Sequence, residues 1–134
     1  MSYLIAAVAC AVAMTGLEIL WFRLVVGPVY RPVLHPVLAE EPNIAAAVAF
    51  YIFYIAGILI LVVRPALAAS DWRMASLDGA LFGFFAFATY DLTNLATLKV
   101  WSVRIALIDM AWGAFLTGCA ATAGTMAALK FAQY

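Results

Sequence analysis

Charge is scarce in this sequence. Of 134 residues, seven are Lys or Arg and seven are Asp or Glu, so the formal net charge is zero. A partner held by long-range electrostatics, such as nucleic acid, needs a basic excess that this chain does not have. Histidine occurs once, at His35, and cysteine twice, at Cys10 and Cys119. Neither count gives metal-ligand spacing or a disulfide framework, and two free buried thiols are expected. Glu-x-x-His pairs and nucleophile elbows are also missing. No catalytic motif, metal site or cofactor is therefore expected; the reading leans away from an enzyme, and a lipid hydrolase or isomerase working through acid/base carboxylates stays open without a motif to support it.

What fills the space is hydrocarbon. Hydrophobic residues make up 69% of the chain, and the mean hydropathy is +1.09. A soluble domain of this length has too little interior to hide so much apolar surface, so lipid is the expected solvent. Four apolar segments, at about 2–26, 43–63, 76–98 and 104–129, each reach the roughly 20 residues that a helix needs to cross a bilayer. Helix is the expected form, because lipid offers no partners to backbone groups and strand alternation is missing. The reading is an all-α integral membrane bundle of four transmembrane helices in up-down topology, one domain over residues 1–134. The first segment lacks the basic start of a signal peptide and is expected to be retained.

The stretch "GPVYRPVLHPVLAEEPN" carries Pro28, Pro32 and Pro36 and is expected to break helix and lie kinked among headgroups. His35 is placed there as a solvated residue. "RPALAASDWR" and "KVWSVR" are expected to be tight turns with interfacial tryptophan. Small residues are dense, among them Gly79, Gly83, Gly113, Gly118 and Gly124, and they are expected to pack this bundle rather than a dimer.

Depth sorts the acids. Glu18 lies five residues before Arg23, Asp91 eight before Lys99, and Asp109 five after Arg104. At 1.5 Å per residue these carboxylates sit about 8–12 Å inside one boundary, so three helices contribute to one layer. Tyr51 and Tyr54 of the second segment fall near the same level. On the third segment Thr89, Thr93, Thr97, Tyr90, Asp91 and Asn94 fan over one half of the helix and are expected to face inward, with Leu92, Leu95 and Ala96 toward lipid. Glu18 with Trp21, and Asp109 with Trp112, repeat a carboxylate-x-x-tryptophan spacing in which an indole N–H can donate to an acid. Close carboxylates in low dielectric cannot all ionise, so at least one is expected to hold a proton. In the purely structural alternative, Arg23, Lys99, Arg104 and the aromatic donors satisfy the acids and the layer sets helix register.

"FATYDLTNLATLK" followed by "IDMAWGAFLTG" resembles a bacterial inner-membrane family, domain of unknown function 2177. The likeness covers the whole chain, including the Glu18–Trp21 pair and "FYIFYIAG" in the second segment, with Glu18 where the family pattern usually has Asp. The resemblance implies a four-helix protein of the bacterial inner membrane and points to Glu18, Trp21, Tyr90, Asp91, Asn94, Asp109 and Trp112. Two roles fit such a molecule. The first is an accessory subunit or structural partner within a membrane assembly, its partners being lipids and other membrane subunits. The second is a proton-linked carrier or binding protein for a small amphiphilic or lipid-like ligand.

Overall fold

A computed structural model describes residues 1–132, and all regular structure among them is helical. The helices are α1 (Ser2–Val37), α2 (Ile44–Ala68), α3 (Trp72–Thr97) and α4 (Val103–Phe131). Three of them, α1, α2 and α4, are long and apolar enough to cross a membrane. The third, α3, has 26 residues but is not among these, because Arg73, Asp78, Asp91 and a series of hydroxyls dilute its hydropathy.

Side chains start three of the helices. Asn43 Oδ1 accepts from the Ala46 N–H at 3.0 Å, Asp71 Oδ1 from the Arg73 N–H at 2.9 Å, and Ser102 Oγ from the Ile105 N–H at 3.1 Å. Each cap satisfies a backbone donor that the first turn leaves free.

The first helix runs further than the prolines suggest. Instead of ending near residue 26, α1 continues to Val37 through a π-helical stretch at Phe22–Tyr30. Pro28 lies inside that wide stretch, while Pro32 and Pro36 each open a new helical turn, at Arg31–Leu34 and His35–Val37. A proline in a first turn loses no hydrogen bond, because its missing N–H has no partner there. Pro65 repeats the device in α2, where a π-helical stretch at Leu59–Val63 gives way to Arg64–Ala68. The α2–α3 connection is correspondingly short, and Ser70 turns it with a φ of 52°.

The hub is α4, which packs lengthwise on α3 and on α1 and has buried residues from Ile105 to Ala128. Gly83 of α3 lies so close to α4 that an added Cβ would strike the Gly113 carbonyl and Thr117, and one on Gly79 would come within 2.8 Å of the Ala121 Cβ. On the other side Gly124 rests against Cys10 and Ala6 of α1. The buried Cys10 thiol donates to the Ala120 carbonyl at 3.1 Å. Both cysteines are free, Cys119 being half-buried. These pairings place α1 and α3 each antiparallel to α4, and they use the small residues within the chain.

The second helix is held at one end. Tyr54, Ile58, Val62 and Val63 enter the core, whereas residues 44–50 are exposed on every side. Its N-terminal half therefore stands away from α1.

Candidate functional site

The acids expected to share a layer meet at the end of the bundle where α1 passes the start of α4. Glu18 is half-buried on α1, and the groups beside its carboxylate are Trp112 and Asp109 of α4. Trp21, one turn beyond Glu18, stacks on Trp112 with ring centroids 4.2 Å apart and planes 3° from parallel. A carboxylate and an indole do lie side by side, but they belong to different helices and no hydrogen bond joins them. Glu18 faces the indole of α4 rather than the Trp21 of its own helix.

Asp109 is answered by a residue that sequence reasoning passed over. The Tyr30 hydroxyl donates to Asp109 Oδ1 at 2.9 Å, and the Tyr30 ring meets Trp21 edge-on at 6.2 Å. Side chains on a helix point back toward its N-terminus. That direction lets Tyr30, far along the continued α1, reach a carboxylate lying deeper. Trp21, Tyr30, Leu34, Trp101, Ile105 and Ile108 form a small apolar shell around this contact.

Asp91 is different. It is fully buried, and neither carboxylate oxygen has a hydrogen-bond partner. Asp109 and Trp101 lie beside it. The indole N–H groups of Trp101 and Trp112 are themselves buried and unpartnered. Two orphaned donors therefore lie beside two carboxylates, Trp101 with Asp91 and Trp112 with Glu18. An unmade bond between buried groups costs about 1–3 kcal/mol per group, more when the group is charged. Trp101 was expected only as an interfacial residue, and its place beside Asp91 depends on the turn between α3 and α4.

Other expectations need correction. Thr89, Thr93 and Thr97 do not face the interior. They are exposed and donate to the carbonyls of Phe85, Thr89 and Thr93, one turn back in their own helix. That internal bond is how a hydroxyl is satisfied without water. Tyr90 is 58% exposed, set edge-on to Trp101 at 5.6 Å, with half-buried Asn94 beside it. Leu92 does face outward, whereas Leu95 is half-buried. Tyr54 makes its hydrogen bond away from the acids, with Thr117 Oγ1 at 2.7 Å. Arg23, Lys99 and Arg104 are all exposed, and the neighbours of Glu18 and Asp91 are aromatic or acidic. Basic residues therefore do not neutralise these two carboxylates. Among the described residues, no group of three or more acids, histidines or cysteines is placed to hold a metal ion.

Beside this cluster, on the flank where α2 stands off, a cavity of about 870 Å³ opens between α1 and α2. Its walls run from Ala7 to Arg23 on α1 and from Val48 to Leu59 on α2, and they are apolar except for Thr15, Glu18, Arg23 and Tyr51. The cavity is about 24 Å long at 1.5 Å per residue. Glu18 belongs to both places: the residue lines the groove, and its carboxylate lies beside Trp112 and Asp109. Tyr51 shares the groove with Glu18.

The family described as "Predicted membrane protein (DUF2177)" matches residues 3–126. No curated protein and no solved structure matches the chain.

Proposed function

This chain belongs to the DUF2177 family of membrane proteins, and we propose that it binds a lipid-like amphiphile drawn sideways from the bilayer into the groove between α1 and α2. In this reading α3 is a fourth span, the helices alternate in direction, and the membrane is the bacterial inner membrane that the sequence resemblance implies. The internally bonded threonines of α3 and its close glycine packing on α4 support that placement.

One observation carries the proposal: Glu18 stands in the wall of an apolar cavity of about 870 Å³ and also beside the Asp109–Trp112 pair of the core. An acid at mid-helix is costly, roughly 3 kcal/mol by insertion scales, and such residues usually face a cavity or pathway. Ligand pockets are mostly apolar with a few convergent polar groups, which is the composition of this wall. Glu18 is assigned the contact with the ligand. Asp91 is assigned the coupling of that contact to a proton, because it is buried beside Asp109 and no basic residue neutralises it.

Native mass spectrometry of the protein released gently from its membrane tests the reading. The expected spectrum has the chain with one retained small molecule, and Ala11→Phe in the groove wall abolishes retention. Stoichiometric recovery with another polypeptide, with no small molecule bound, would instead support the accessory-subunit role.

A further inference from the structure

The groove is chemically asymmetric along its length. Its polar wall residues, Thr15, Glu18, Arg23 and Tyr51, gather at the end nearer the α1 continuation, while Ala7, Ala11 and Leu59 make the other end apolar. On α1 the polar part, residues 15–23, covers about 12 Å and the apolar part, residues 7–15, another 12 Å or so. One leaflet of the hydrocarbon core is about 15 Å deep, so the apolar half has room for most of an acyl chain lying along the helix. Arg23 is the only cation in the wall, and it is exposed. Glu18 has Trp112 and the like-charged Asp109 behind it. The charge offered to an incoming head group is therefore the guanidinium. Its planar fork matches an oxyanion, and its long stem can snorkel to headgroup depth.

We propose that the occupant is an acyl amphiphile with an anionic head, its oxyanion on Arg23 and its tail running past Tyr51 along Ala11 and Ala7. This rests on the groove reading above and adds the class and the orientation of the ligand. A cationic amphiphile is disfavoured, because its head would lie beside Arg23 before reaching Glu18. A carboxylate of a free fatty acid and a phosphate of an anionic phospholipid share the required chemistry.

The test uses the full chain in a neutral detergent with three probes: palmitate, phosphatidylglycerol and hexadecylamine. Wild type, Arg23→Gln and Ala11→Phe are compared by native mass spectrometry, with Ala56→Phe as a second groove-filling variant. Palmitate or phosphatidylglycerol is expected to be retained, and whichever is retained identifies the source of the head. Arg23→Gln should weaken that retention about tenfold, the worth of one charge-assisted hydrogen bond, and both filling variants should abolish it. Retention of hexadecylamine in preference to the two anions, lost on filling the groove but indifferent to Arg23→Gln, would overturn the anionic head and leave the groove standing. Retention of all three probes unchanged by either filling variant would overturn the groove itself.

Discussion

Tyr30 and Asp109, 79 residues apart in the chain, are joined by a hydrogen bond of 2.9 Å. The bond pins the continued part of α1 onto the start of α4 and gives Asp109 its donor. It also leaves Asp91, beside Asp109, as the buried acid without any partner. Within one cluster the two aspartates therefore have opposite standing, and substitutions should separate them.

Tyr30→Phe removes only the donor. A hydrogen bond to a charged group is worth about 1.5–3 kcal/mol, and the loss of stability should fall in that range. Unfolding of the reconstituted protein by increasing detergent denaturant measures it. No change would mean that Asp109 finds another donor as readily.

Asp91→Asn should leave stability within about 0.5 kcal/mol of wild type, because there is no bond to lose. Asp91→Leu, which replaces an unpartnered buried carboxyl by hydrocarbon, should be neutral or stabilising by about 1 kcal/mol or more. The same unfolding assay applies. A large loss in Asp91→Asn, beyond about 2 kcal/mol, would show that Asp91 serves as a clasp between helices and would remove it from the proton role.

Two glycines make a contrasting pair. A methyl group at Gly83 would strike the Gly113 carbonyl and Thr117, whereas nothing lies within 4 Å of one at Gly16. Overpacking costs about 1–3 kcal/mol, so Gly83→Ala should lower the melting temperature. Gly16→Ala should keep or raise it, since Ala is favoured over Gly within a helix by up to about 1 kcal/mol. Equal effects at both sites would contradict the antiparallel α3–α4 contact.

Sequence made the helices legible, because they follow from local counting of apolar length. It placed Glu18 and Asp109 near one another correctly. Three things depended on tertiary geometry. Pro28, Pro32 and Pro36 look like breakers, but changes of helical pitch absorb them, and the Tyr30 contact became invisible once that segment was read as loop. The threonines of α3 look like an interior face, but a hydroxyl can satisfy itself on its own helix and then stay exposed. Tyr54 has the right depth for the acids, yet the rotation of α2 turns it to Thr117. A groove created by one helix standing off another leaves no periodic signal, although Thr15, Glu18 and Tyr51 in its wall were all visible as polar residues in apolar runs.

The most direct measurement is photo-crosslinking in native membranes from two positions. One carries a benzophenone side chain in place of Val8, in the groove wall, and the other in place of Phe85, exposed on α3. A specific occupant predicts that Val8 captures one lipid-like species far above its bulk abundance, while Phe85 captures lipids in bulk proportion. The same lipid mixture at both positions, or a polypeptide adduct at Val8, would contradict the account.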